Sequence, residues 1–94
     1  MDNEKKTVLA RITGRVQGVS FRAWTRSEAM RRGLTGWVRN EADGSVTALL
    51  SGPDDAVDAM VSALWQGPPH SSVQDVKITR EETADAIGSF QILH

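Results

Sequence analysis

A glycine-bracketed stretch near the N-terminus has the residue types of a phosphate-binding loop. Residues 14–22 contain Gly14, Gly18, Arg15 and Arg22 and no acidic side chain. The stretch follows an alternating, strand-like segment and leads into a helix-like one. Backbone N–H groups at the start of a helix, joined by a guanidinium, suit a tetrahedral anion such as phosphate.

The two glycines alone would fit an ordinary strand-to-helix turn, because glycine eases the chain around a corner without any ligand. Arg22 favours the other interpretation, since a helix dipole disfavours a cation in the first turn unless an anion lies beside it. The pattern is not a Walker loop, which ends in Gly-Lys-Ser/Thr, and its glycine spacing differs from the dinucleotide fingerprint.

A second candidate is Asn40, at the predicted end of a strand that begins at residue 34. Asn40 shares its parity with Val38 and is therefore expected on the helix side of the sheet. An amide is a poor core residue and needs hydrogen-bond partners there. Two interpretations are equally supported: Asn40 caps the turn before Asp43-Gly44, or it lies beside the loop and orients a ligand or a water.

The charge distribution is uneven although the net charge is only −1. Residues 11–39 contain seven arginines against one acid, Glu28, whereas residues 40–94 contain nine acids and two cations, Lys77 and Arg80. A basic region on a slightly acidic chain favours a localised anion site over broad nucleic-acid binding. Solvated helix surface explains Arg31 and Arg32 well, but it does not explain the arginines of the loop.

Composition limits the classes of chemistry. The 94 residues are expected to form one domain over residues 1–94, with residues 1–6 flexible. The chain has no cysteine, which excludes disulfides, thiolate metal sites and thiol nucleophiles. Since no signal peptide or membrane span is visible, we expect a cytoplasmic protein. His70 lies in a Gly/Pro/Ser loop and His94 at the terminus, and both are interpreted as surface bystanders.

The periodicity predicts strands over residues 7–13, 34–40, 45–50, 73–80 and 89–93. It predicts helices over residues 21–32 and from Pro53 to a stop at Gly67. The fold class is therefore α+β, a ferredoxin-like βαββαβ sandwich with two helices on one face of an antiparallel sheet. The residues expected to face inward are Val8, Ala10, Ile12, Phe21, Thr25, Ala29, Leu34, Gly36, Val38, Val46, Ala48, Leu50, Val57, Met60, Val61, Leu64, Trp65, Val76, Ile78, Phe90 and Ile92, with Trp24 as a further candidate.

Two stretches, in this order, resemble the signatures of the acylphosphatase family. Residues 12–22, Ile-Thr-Gly-Arg-Val-Gln-Gly-Val-Ser-Phe-Arg, resemble its phosphate loop, and residues 36–52 resemble its second signature. With the order of strands and helices, the similarity covers residues 7–93. Departures are few: Ser20 falls at a variable position, and Arg32 stands where an aliphatic residue would close the first helix.

The resemblance implies hydrolysis of acyl phosphates to a carboxylate and inorganic phosphate, without metal or cofactor. It implies that Arg22 grips the phosphate and that Asn40 positions the attacking water. It also implies that backbone amides of the loop cradle the phosphate, namely those of Arg15, Val16, Gln17, Gly18, Val19, Ser20 and Phe21. The residues agree with this chemistry, because a loose phosphoryl-transfer transition state needs positioning and charge stabilisation more than covalent catalysis.

The expected partner is a small-molecule acyl phosphate, with inorganic phosphate or sulfate as competing anions, and the expected state is a monomer without membrane or nucleic-acid partners. Two rival interpretations stay open. One is a non-catalytic phosphate- or carbamoyl-phosphate-binding module of the same fold. The other is an RNA-binding domain with a similar element order, for which Trp37 beside Arg39 is the main stacking candidate. A lone tryptophan beside an arginine is more often surface packing than a base platform.

Overall fold

Seven elements follow one another in the computed structural model, which describes residues 5–81 and 89–93. They are β1 (Lys5–Arg15), α1 (Phe21–Arg31), β2 (Thr35–Asn40), β3 (Val46–Pro53), α2 (Asp54–Gln66), β4 (Ser72–Glu81) and β5 (Phe90–Ile92). Helix α1 packs on β2 and β5, and α2 packs on β1, β3 and β4. The predicted α+β sandwich with two helices on one face of the sheet is confirmed.

The strands form one sheet in the order β4-β1-β3-β2-β5. The pairs β4-β1, β1-β3 and β3-β2 are antiparallel, as predicted, but β5 pairs with β2 in parallel, so the sheet is mixed rather than wholly antiparallel. The direction of β4 explains the difference. Because β4 ends where β2 begins, a strand that returns from that end of the sheet runs alongside β2 in the same direction.

The core lies between the sheet and the two helices. Strand alternation places Val8, Ala10 and Ile12 of β1 inside, and the register sets them opposite Leu50, Ala48 and Val46 of β3. The remaining core residues are Val16, Phe21, Ala29, Leu34, Val38, Val57, Met60, Leu64, Val76 and Phe90. Burying one such large side chain contributes about 1.5–3 kcal/mol before conformational entropy is counted.

Helix α2 buries Val57, Met60 and Leu64, as its periodicity predicts. Trp65 differs from the expectation, since its side chain is 48% exposed. At roughly 100° per residue, Trp65 lies about 80° from Val57 on the helical wheel, on the opposite flank from Met60. It therefore sits at the margin of the apolar stripe, beyond the contact with the sheet.

Three residues near the edges of the sheet also depart from the sequence expectations. Ile78, expected inside, is 40% exposed, because β4 is an edge strand and the described residues leave that margin of the inner face uncovered. Lys5 and Lys6, expected in a flexible terminus, form the start of β1, where they pair with Pro53 and Gly52. The rest of that expectation, residues 1–4, lies outside the described residues.

The topology brings the candidate residues to one end of the sheet. There β1 ends, α1 begins, and β2 ends at Asn40. Gly52 and the start of β1 lie at the opposite end. Neither of the two described helices has both the length and the apolar character needed to cross a bilayer.

Candidate active site

The predicted phosphate loop is shorter in the structure than in the sequence pattern. β1 continues to Arg15, so only residues 16–20 connect it to α1. Gly14 lies within β1, at a bulge in the pairing with β4, with φ of 120°. A Cβ at this position would lie 2.2 Å from the carbonyl oxygen of Ser72. The close approach that requires glycine here is therefore to β4 and not to a ligand.

The start of α1 has the features of an anion-binding helix terminus. Gly18 has φ of 76°, and Ser20, the N-cap residue, is also left-handed with φ of 63° and ψ of 27°. The Ser20 side chain makes no capping hydrogen bond, and the first turn contains no acidic residue. The first N–H groups of α1 therefore lack a side-chain acceptor, which is the arrangement that favours an anion.

A cavity of about 390 Å³ opens at this point. Its lining contains Arg22 and Asn40, two residues that are separated in the sequence and belong to different elements, together with Val16, Gly18, Ser20, Phe21, Ala23 and Ile92. No acidic residue is among them. An anion in this cavity would meet backbone dipoles and a guanidinium without facing a carboxylate.

Ion pairs and hydrogen bonds account for five of the seven arginines between residues 11 and 39. Arg11 pairs with Asp43, Arg39 with Glu41, and Arg31 and Arg32 with Glu28. Arg26 Nε donates to the Phe90 carbonyl oxygen at 3.2 Å. Among the described residues, Arg15 and Arg22 have no such partner, and only Arg22 lines the cavity. The site thus combines a guanidinium that has no partner among the described residues with helix N–H groups that have no side-chain acceptor.

The hairpin after β2 bears on the first of the two interpretations of Asn40, that it caps the turn. The turn is capped by Asp43, whose Oδ1 accepts from the backbone N–H of Ser45 at 2.9 Å and from its hydroxyl at 2.6 Å. These hydrogen bonds, with that from Arg11, lower the pKa of Asp43 to about 2. The Asn40 side chain is exposed and has no hydrogen-bond partner among the described residues. Asn40 therefore does not cap the turn, and its amide is available to the cavity.

Comparisons with known proteins show to which family the chain belongs. The family model described as Acylphosphatase matches residues 8–92. A curated acylphosphatase of Rhizobium meliloti (strain 1021) is 56% identical over 92 residues, which cover 98% of this chain and 97% of that protein. The chain belongs to the acylphosphatase family. The predicted enzyme class and activity, acylphosphatase, are confirmed.

Solved structures confirm the fold of this acylphosphatase family member. The crystal structure of acylphosphatase from Bacillus subtilis superposes with a TM-score of 0.91 at 37% identity, covering 95% of this chain and 99% of that one. Full-length HypF in its phosphate- and nucleotide-bound form superposes with a TM-score of 0.86 at 21% identity, covering 100% of this chain and 12% of that one. The second likeness concerns the fold alone.

The structure brings together part of the predicted set of site residues. Val16, Gly18, Ser20 and Phe21 line the cavity with Arg22 and Asn40, whereas Arg15, Gln17 and Val19 are not among its lining residues. Arg15 is exposed, and Val19 packs against the core. The binding of phosphate by the backbone amides of residues 15–21 stays a prediction.

The open face of the sheet bears on the nucleic-acid alternative. The guanidinium of Arg39 lies over the ring of Trp37, 4.8 Å from its centroid, and also binds Glu41. The ring is thus already stacked by a side chain, which is the surface packing that the sequence favours. Absence of RNA binding remains a prediction.

The two histidines are the remaining titratable candidates, and His70 is not among the residues that line the cavity. His70 is exposed in the turn after α2, and His94 lies outside the described residues. Within residues 5–81 and 89–93, no three His, Cys, Asp or Glu side chains are grouped as a metal site.

One feature of the site was not predicted from the sequence. Gln17 is expected to serve the loop through its backbone amide, but its side chain reaches the β2-β3 hairpin. Nε2 donates to the carbonyl oxygens of Glu41 and Ser45, at 2.9 Å in both cases. The only sequence signal was an amide side chain between Val16, which is fully buried, and Gly18.

Proposed function

We propose that the chain hydrolyses small acyl phosphates without a metal, by holding the phosphoryl group and directing a water at it. The observation that carries the proposal is that Arg22, which has no partner among the described residues, lines one cavity together with Asn40 and without any described acid. Acylphosphatase-family membership supplies the reaction class. The roles of Arg22 and Asn40 are inferred from their chemistry and their place at the cavity.

In the proposed complex, the N–H groups of residues 15–21 and the Arg22 fork bind the non-bridging oxygens of the phosphoryl group. A loose transition state spreads negative charge over these oxygens, so preformed donors stabilise it more than they stabilise the ground state. The guanidinium suits this task because its planar fork grips two oxygens at once. Arg22 therefore contributes both binding and transition-state stabilisation.

Asn40 holds the attacking water in line with the bond that breaks. Its side-chain oxygen accepts a hydrogen bond from the water, which orients the water lone pair toward phosphorus. As the water oxygen bonds to phosphorus, the bond from phosphorus to the acyl oxygen breaks and a carboxylate leaves. The leaving group is a weak base and needs no strong general acid, and the water proton passes to a phosphate oxygen.

The test is an assay with several acyl phosphates, acetyl phosphate among them, in the presence of a chelator. We expect turnover in the wild type, inhibition by inorganic phosphate or sulfate, and loss of both activity and inhibition in Arg22→Ala. Loss of activity on addition of chelator, reversed by a metal ion, would overturn the metal-free mechanism. Phosphate binding without turnover would favour the non-catalytic binding module instead.

The proposal includes a cytoplasmic monomer that acts on a free small molecule. The large apolar side chains that the described residues expose are Met30, Trp65 and Ile78, which belong to three different elements. Sedimentation of the purified chain and fractionation of its cells test these two points.

A further inference from the structure

The amide of Gln17 connects the phosphate loop to the strand end that carries Asn40. Both of its donor hydrogens are used, one by the carbonyl of Glu41 and one by the carbonyl of Ser45, each at 2.9 Å from Nε2. These two residues face each other across the first step of the hairpin, where Glu41 N donates to Ser45 O at 2.8 Å. A single side chain thus clamps both sides of the hairpin at once.

The clamp lies directly beside Asn40. Asn40 is the last residue of β2 and pairs with Val46, so Glu41 and Ser45 are the next residues on the two sides of the ladder. The Asn40 side chain has no hydrogen-bond partner among the described residues, so its backbone alone sets its place at the cavity. Within residues 5–81 and 89–93, the two hydrogen bonds of Gln17 are the only side-chain hydrogen bonds between residues 16–20 and the hairpin.

Three consecutive loop residues point in three directions. Val16 is fully buried in the core, Gln17 reaches the hairpin, and Gly18 lies at the cavity with φ of 76°. The loop is therefore anchored twice, once by apolar packing and once by the amide, before it turns toward the cavity. A movement of the hairpin relative to the loop must stretch the second anchor.

We propose that Gln17 is a positioning residue that fixes the Asn40 amide, and hence the attacking water, relative to the phosphate bound by the loop. The inference rests on the proposed function, since it assigns no role without a water held by Asn40. Glutamine suits the task because one planar –NH₂ group serves two carbonyls. A hydroxyl has one donor hydrogen, and an ionised carboxylate has none.

The first experiment compares Gln17→Met with the wild type in acetyl phosphate hydrolysis. Methionine keeps the length of the side chain and removes both donors. We expect kcat to fall by about tenfold to a hundredfold, the range that follows from misplacing a catalytic group by about 1 Å. Because this substitution leaves Arg22 and the loop amides in place, the inhibition constant of phosphate should stay within about threefold of wild type.

Gln66→Met is the matched control, since Gln66 is exposed at the end of α2 and is not among the residues that line the cavity. It should leave kcat and phosphate inhibition unchanged. Retained phosphate inhibition and an unchanged circular dichroism spectrum show that Gln17→Met is folded. An unchanged kcat, or equal losses of kcat and phosphate affinity, would overturn the positioning role.

The second experiment is a double-mutant cycle with Asn40→Ala. If Gln17 acts only through Asn40, Gln17→Met should cost no more than about twofold in kcat once the Asn40 amide is gone. A fully multiplicative loss in the double variant would show that Gln17 acts elsewhere. A merely structural role predicts that multiplicative loss, so the two explanations give different results.

Gln17→Glu adds a pH readout and a second variant. The introduced carboxylate has no donor and faces two carbonyl oxygens, whereas its protonated form can donate to one of them. We expect its kcat, relative to wild type at the same pH, to rise as the pH falls, while the ratio for Gln17→Met stays flat. If Gln17→Glu follows Gln17→Met at every pH, the inference fails.

A wild type that does not hydrolyse acyl phosphates would refute the proposed function itself, whereas an active wild type with an equally active Gln17→Met refutes only the role of Gln17.

Discussion

The two ends of the sheet both carry a concave surface, and the larger one lies away from the candidate site. Around Arg22 and Asn40 the cavity measures about 390 Å³. At the opposite end, where β1 begins and β3 ends, a cavity of about 590 Å³ is lined by Lys5, Lys6 and Glu81 among others. Size and the presence of cations therefore do not distinguish the two. The difference lies in their acids, because Glu81 lines the larger cavity and no described acid lines the smaller one, and in what Lys6 and Arg22 already bind.

At the opposite end, Lys6 is held between two carboxylates, with Nζ 2.9 Å from Asp54 and 2.8 Å from Asp58. Hydrogen bonds to Asp58 and Asp54 raise the pKa of Lys6, which shows that its charge is already stabilised within the protein. At the loop end, Arg22 has no such partner among the described residues, and free helix N–H groups lie beside it. An anion gains most where the protein has left its donors unpaired.

The largest effect is expected from Arg22, the unpaired charge on which this contrast depends. Arg22→Ala should lower kcat/KM by about a thousandfold or more, since it removes donors that act on the transition state. Arg22→Lys should recover less than about tenfold of that loss, because a point charge lacks the fork. Steady-state kinetics and phosphate inhibition measure both.

Arg31→Ala, which removes an arginine paired with Glu28 on the same helix, is the control and should behave as wild type. Near-normal activity in the lysine variant would refute the bidentate role.

Asn40→Ala should produce the next largest effect and should separate positioning from binding. We expect kcat to fall by about a hundredfold, while the inhibition constant of phosphate changes by less than about twofold, because the amide orients water and does not hold the anion. The ratio of the two changes is the measurement. Parallel losses of kcat and phosphate affinity would instead make Asn40 a phosphate-binding residue.

Sequence reasoning predicted the fold and, as one of two alternatives, that Asn40 lies beside the loop of Arg22, but it did not predict the hydrogen bonds of the Gln17 side chain. Alternation and helical periodicity gave the buried faces of β1 and α1 because each is set by local geometry. Trp65 and Ile78 were misplaced because exposure at the margin of a layer depends on what packs beside it. The parallel direction of β5 depends on where β4 ends, and the Gln17 clamp on two carbonyls 24 and 28 residues away. No local pattern records such long-range contacts.

A substitution of Asp43 tests whether this carboxylate, at the loop end of the sheet, is already bound by other groups of the protein. Its pKa lies at about 2, below the usual 3.8, because Ser45 and Arg11 bind the carboxylate. A carboxyl group whose pKa is lowered in the folded state stabilises the protein at pH values above its unfolded-state pKa. That stabilisation is lost as the pH falls through the folded-state pKa. The urea midpoint of wild type should therefore exceed that of Asp43→Asn at pH 5, and the gap should close toward pH 2. An equal gap at both pH values, or a similar closing gap in Asp75→Asn, would contradict the assignment. The kcat of Asp43→Asn should stay within about threefold of wild type, since Asp43 does not line the cavity.

The smallest effect is expected at the larger cavity. Lys6→Ala removes a cation from its lining but breaks only exposed ion pairs, which contribute little to stability and nothing to the proposed chemistry. We expect kcat/KM and phosphate inhibition to stay within about twofold of wild type, as in Asp58→Ala, which removes the acid from the same ion pair. A tenfold loss of kcat/KM in Lys6→Ala alone would show that this cation also attracts the substrate. The pairing of Lys6 with Asp54 and Asp58 would then no longer explain why the two cavities differ.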